Sequence, residues 1–106
     1  MVIYSICFKD PKTGEIHRYN GLTYTHIDDS AAAVIQKLCG ERPNKWDCRS
    51  AAFMLPVFVE ALRNAQEKYN ELCAWDRMIN ADVCISLGAL ITRCRQYPKS
   101  VLEVDW

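Results

Sequence analysis

Hydrophobic and polar residues alternate from Val2 to Phe8 and again from Val101 to Trp106, whereas between Phe53 and Tyr97 the apolar positions recur every three or four residues. A period of two is the spacing of a strand with one buried face, and a period near 3.6 that of an amphipathic helix. The pattern predicts an α+β fold with strands at both ends of the chain and helices between them.

Val2, Tyr4, Ile6 and Phe8 share one face of the first predicted strand, which stops at Asp10-Pro11-Lys12-Thr13-Gly14. Pro11 presets φ for a turn, Asp10 accepts backbone hydrogen bonds and Gly14 suits the left-handed closing position, so a hairpin returns through Glu15 to Asn20. A register with Lys9 opposite Glu15 sets Cys7 against His17 and Ser5 against Tyr19, gathering polar side chains on one face and Phe8 with Ile16 on the other. After Gly21, the residues Leu22 to Thr25 read as a short continuation, and the hairpin with its extension occupies residues 1–27.

Asp28, Asp29 and Ser30 are good helix N-caps, and Ala31, Val34, Ile35 and Leu38 form an apolar stripe. The first helix therefore spans 29–39 and ends at Gly40. Residues 41–49 form a polar loop around Pro43 with one large hydrophobe, Trp46. A second helix spans 50–75, capped by Asp47 or Ser50, with Pro56 imposing a kink or a late start because an interior proline costs about 3 kcal/mol. Phe58, Leu62, Ala65, Tyr69 and Leu72 are its buried seam.

Asp76, Asn80 and Asp82 offer caps for a third helix over 77–97, whose seam is Val83, Leu87, Leu90, Cys94 and Tyr97 and which stops before Pro98. Antiparallel packing of the two seams supplies most of the core. A strand over 101–106, with Leu102, Val104 and Trp106 on one side, then widens the sheet beside the first strand. The predicted order is ββααα-β: an antiparallel sheet packed against three helices, in a single domain over residues 1–106.

Composition adds limits to this picture. At 50% hydrophobic and 25% charged residues the chain is of ordinary globular type. Thirteen Lys and Arg balance thirteen Asp and Glu, and residues 1–50 carry seven against six, so neither half has the excess of a nucleic-acid binder or a DNA mimic. No stretch reaches the roughly 18 apolar residues of a membrane span. No basic residue precedes the first apolar run, so the reading is a cytoplasmic protein whose six cysteines, without close pairing, are reduced thiols.

No phosphate loop, nucleophile elbow, paired-cysteine metal motif or helical His-Glu motif is present, so no catalytic residue and no cofactor is assigned. Cys7 and His17 form a weak metal or thiol pair that Cys48 and His26 would have to complete. Cys48 lies near a helix N-terminus, where a thiolate is favoured, but only His17 and His26 exist as bases. Asp28 and Asp29 are adjacent and fit caps better than an acid/base pair. Arg63 and Glu67 fit an ion pair on a solvated helix face.

Arg42, Lys45 and Arg49 around Trp46 are the strongest surface candidate. Arginine and tryptophan are favoured anchors of protein interfaces. The same set suits phosphate contact with indole stacking, joined by Arg93, Arg95 and Lys99. Trp46 folded back as a lid on the core is the plainer packing.

The functional expectation is a non-enzymatic protein-interaction domain, an accessory or inhibitor protein that occludes a partner surface; phage-encoded inhibitors of host defence enzymes exemplify the class. Nucleic-acid binding through the Arg42–Arg49 loop and a small Cys/His site are the alternatives. Met54, Met78 and Trp75 suggest a homodimer face.

Overall fold

The computed structural model describes residues 3–18, 21, 23–69 and 74–105, with backbone only at Tyr69, Ala74, Trp75 and Asp76. Strand β1 (Ile3–Lys9) buries Tyr4, Ile6 and Phe8 on the side that meets the helices. Strands β2 (Ile16–His17), β3 (Thr25–Asp28) and β4 (Val101–Asp105) all pair antiparallel with β1. β4 covers Ser5–Lys9, while β2 meets Phe8 and Lys9 and β3 meets Ile3–Ile6. A strand has two edges, so β2 and β3 lie end to end along the edge opposite β4, and β1 is central. The expected antiparallel sheet with an N-terminal hairpin and a C-terminal strand is present.

The hairpin register is one residue from that expected: Phe8 opposes His17 and Lys9 opposes Ile16. Asp10 causes the shift. Its carboxylate accepts from Lys12 N at 2.8 Å and Thr13 N at 3.0 Å, and its backbone bonds Glu15 O at 2.8 Å and Gly14 N at 2.9 Å. Asp10 and Glu15 thus become the closing pair of a four-residue loop. A one-residue slip exchanges sheet faces, so His17 joins the Phe8 side and leaves Cys7 on the other. Ser5 opposes His26 instead of Tyr19, which lies outside the described residues.

His17, the last residue of β2, and Thr23, just ahead of β3, turn their carbonyls toward the third helix. Backbone acceptors removed from water must be satisfied by another group. Arg93, 2% exposed, reaches from the third helix and supplies it. Its Nη2 donates to His17 O and Thr23 O, each at 2.9 Å, and Nη1 donates to Thr25 Oγ1 at 3.2 Å. The guanidinium lies 4.8 Å from the centre of the Phe8 ring, and burial lowers its pKa. Tyr97 reinforces the junction, stacking on His17 at 4.4 Å and donating from its hydroxyl to Arg18 O at 2.7 Å.

Helix α1 (Asp29–Cys39) starts where expected, with Asp28 as cap accepting from Ala31 N at 2.8 Å, and ends at Gly40 with φ of 79°. Helix α2 (Ala51–Tyr69) starts early despite containing Pro56. Ser50 caps it by accepting from Phe53 N at 3.1 Å, and fully buried Ala51, Met54 and Phe58 offset the missing bond. Asp47, the other cap candidate, instead accepts from Val104 N at 2.9 Å.

Helix α3 (Ala74–Gln96) includes Asp76, Asn80 and Asp82, so the three predicted caps lie inside it rather than at its start. Asn80 serves a different end: it is buried within α3 and donates to Ala65 O of α2 at 2.7 Å, tying the two helices together. The seam of α3 is as predicted, with Val83, Leu87, Leu90 and Cys94 fully buried against Phe58, Ala61 and Ala65. Leu72 of the α2 seam lies outside the described residues. Arg63 pairs with Glu60 at 2.6 Å rather than with Glu67.

β4 is closed on its outer edge by residues 47–50. Leu102 O accepts from Cys48 N, Leu102 N donates to Arg49 O, both at 2.8 Å, and Ser50 bridges Val101. To make these bonds Cys48 takes φ of 67°, a left-handed conformation that costs a non-glycine residue of order 1 kcal/mol. An edge strand so covered is no template for a further strand.

Replacing Arg93 by Met keeps the aliphatic packing and removes three hydrogen bonds. The expected loss is about 3 kcal/mol of unfolding free energy in urea titrations. Arg93→Lys recovers only part, because a point ammonium lacks the planar fork that reaches three acceptors. An Arg93→Met protein as stable as wild type would refute the bracing role.

Candidate functional site

The loop that sequence singled out is built around a short 3-10 turn, Pro43–Trp46. Pro43 and Trp46 are three apart, which in a 3-10 turn aligns them on one side, and both are buried. Trp46 is fully inaccessible and packs edge-on against Phe58, ring centres 4.9 Å apart at 75°. It is therefore a core residue and is withdrawn as a binding anchor. With it goes the indole platform of the nucleic-acid reading, and burial of Arg93 removes one of that reading's basic residues.

What the loop exposes is different. Arg42 and Lys45 are exposed. Arg49 is half-buried and clasps Glu41 through both nitrogens, Nη2–Oε2 being 3.1 Å. Its guanidinium also lies 5.5 Å from the centre of the Phe53 ring, and Phe53 is 60% exposed. Sequence reading missed Phe53. The available signal was its place off the Ala51–Met54–Phe58 stripe, which turns a large aromatic side chain to solvent.

The Cys/His constellation does not assemble. Cys7 and His17 lie on opposite faces of the sheet, through the register shift described above. Cys7 is buried and donates to Glu103 Oε2 at 3.4 Å, while Glu103 Oε1 also meets Lys9 Nζ at 3.5 Å. His26 lies on the same face as Cys7, with its Nδ1 hydrogen-bonded to Ser5 Oγ at 3.0 Å. Cys48 is exposed, and its thiol donates to the neighbouring Asp47 Oδ2 at 3.6 Å. Among the described residues no group of three or more His, Cys, Asp or Glu side chains is placed to hold a metal ion.

The acidic side chains of this face border a shallow groove of about 230 Å³ lined by Tyr24, Asp47, Glu103, Val104 and Asp105. Two of its carboxylates are already engaged, Asp47 with Val104 N and Cys48, and Glu103 with Cys7 and Lys9. Three of the thiols, Cys7, Cys39 and Cys94, are held back as nucleophiles by burial. Burial, then the hydrogen bond and charge of Glu103, push Cys7 up to about 11; burial pushes Cys39 to about 11 and Cys94 to about 12. A thiol must ionise to attack, and these remain protonated at neutral pH.

No known protein family, curated protein or solved structure matches the chain. Among the described residues no helix is long and apolar enough to cross a membrane.

The thiol environments predict alkaline sensitivity. A group whose pKa is raised on folding stabilises fully below its unfolded value, here near 9, and that contribution is lost as pH rises toward the folded value. Urea midpoints are expected to fall between pH 9 and pH 11, and to fall less in Cys7→Ala/Cys94→Ala than in wild type; parallel curves would refute the assignment. At pH 7.5, brief alkylation should modify Cys48 well before Cys7 or Cys94, as read by peptide mass spectrometry.

Proposed function

We propose that the chain is a protein-interaction domain whose contact surface centres on Phe53 and Arg49, with Arg42 and Lys45 at its rim. The observation that carries this reading is the exposed Phe53 ring with a guanidinium fixed beside it. Glu41 holds Arg49 in place, so little side-chain freedom remains to be lost on binding. Aromatic and arginine side chains are the enriched anchors of protein interfaces, and exposed cations around them steer association. The surrounding charges favour a partner whose facing surface is acidic at its margin. A domain of this kind acts by covering a partner's surface, as accessory and inhibitor proteins do, and the reading assigns no reaction to it.

A second reading, self-association, is favoured by Met78 and Ile85, both 70% exposed and one heptad apart on α3. It replaces the homodimer face suggested by Met54, which is fully buried, and by Trp75, whose side chain lies outside those described.

The Phe53 surface is tested by immobilising wild type and Phe53→Asp/Arg42→Glu and comparing what each retains from the source cell extract. The binder retained by wild type is then purified and titrated. All changed positions are exposed, so thermal stability should match, while affinity should drop at least about tenfold, or 1.4 kcal/mol. Equal affinity of the two proteins would dismiss this surface. For self-association, sedimentation should show a dimer that Met78→Lys/Ile85→Lys converts to monomer; a wild-type monomer at all concentrations ends that reading.

A further inference from the structure

A second groove, of about 230 Å³, opens where α1, the C-terminal half of α2 and the N-terminal half of α3 meet. Its walls are apolar, formed by Val34, Leu38, Ala65 and Ile79, and Asn80 braces them through its bond to Ala65 O. Lys37 from α1 and Lys68 from α2 complete the lining. Both lysines are exposed, neither forms an ion pair among the described residues, and no described carboxylate lines the groove.

The alternative role of these lysines is to neutralise helix ends, since each stands in the last turn of its helix. Magnitudes decide the matter. A helix C-terminus carries roughly half a negative charge, against one full positive charge on each lysine. Two lysines over two such ends leave roughly one unit of positive charge at the mouth of an apolar trough. That pairing of a dry wall with one unit of cationic charge is complementary to an amphipathic monoanion.

We propose that this groove binds an aliphatic monocarboxylate, its hydrocarbon chain lying along Val34, Leu38, Ala65 and Ile79 and its carboxylate held by Lys37 and Lys68. Burial of the chain supplies non-directional affinity, and the charge-assisted contacts select the acid over a neutral analogue. The site is separate from the Phe53 surface and does not rest on it.

The test is a titration of isotope-labelled protein with decanoate and with decanol below their aggregation limits, followed by NMR. Decanoate should shift Val34, Leu38, Ala65 and Ile79 saturably, and decanol should bind at least about tenfold more weakly. Lys37→Glu/Lys68→Glu, at two exposed positions, should keep a dispersed spectrum and lose the preference for decanoate. The proposal is overturned by absence of any shift, by shifts centred elsewhere, by equal binding of acid and alcohol, or by undiminished decanoate binding in the charge-reversed protein.

Discussion

A guanidinium buried without a carboxylate partner among the described residues, that of Arg93, is the constraint around which the sheet is arranged. Removing a cation from water costs several kcal/mol, and here the cost is met by three neutral acceptors and the face of Phe8. Two of those acceptors are backbone carbonyls, of His17 at the end of β2 and of Thr23 just ahead of β3. They make the buried charge tolerable, and through them α3 is fixed against both strands. A pair of methyl-lined surfaces in the same place would pack but would not specify where β3 resumes.

Around this junction the remaining elements close the sheet on both ends of β1. The seams of α2 and α3 cover its inner side, with Trp46 filling the space beside Phe58. The 47–50 segment occupies the outer edge of β4, at the cost of a left-handed Cys48. The 3-10 turn, the edge closure and the start of α2 are thus one continuous piece of chain. That explains why the loop which looked free in sequence is largely committed to structure: its tryptophan fills the core, its aspartate binds β4 and its serine caps α2.

The elements were legible where periodicity spoke alone. The seam Val83–Leu87–Leu90–Cys94, the capped start of α1 and the pairing of β4 beside β1 all follow from spacing and local hydrogen-bonding chemistry. Two things were not legible, each for a physical reason. The hairpin register turned on whether Asp10 belongs to the loop or to its closing pair, a choice of one residue that local patterning does not separate. Arg93 reads as a solvated basic residue near a helix end, because nothing local reports that two carbonyls distant in sequence accept from it. Trp46, by contrast, packs as the plainer sequence reading had it, a lone large hydrophobe amid charges folded onto the core, and the i to i+3 relation with Pro43 turns both inward.

The same reasoning sorts the surface. Two carboxylates that line the groove beside β4 are already paired: Glu103 with Lys9 and Cys7, and Asp47 with the β4 backbone. Groups so satisfied have little interaction left to offer a ligand, since binding would have to replace bonds already made. Side chains that fold without satisfying themselves are the informative ones, and they fall in separate places. Phe53 with Arg42 and Lys45 lies at the start of α2, and Lys37 with Lys68 lies over the apolar trough at its other end. A helix that presents an aromatic anchor at one end and a cationic trough at the other is rigid between them through its seam with α3. Occupancy of one surface therefore reaches the other only through a shift of that packed seam, and a seam of fully buried side chains resists such shifts. Binding at the two proposed surfaces is accordingly expected to be independent in energy, although they share a helix.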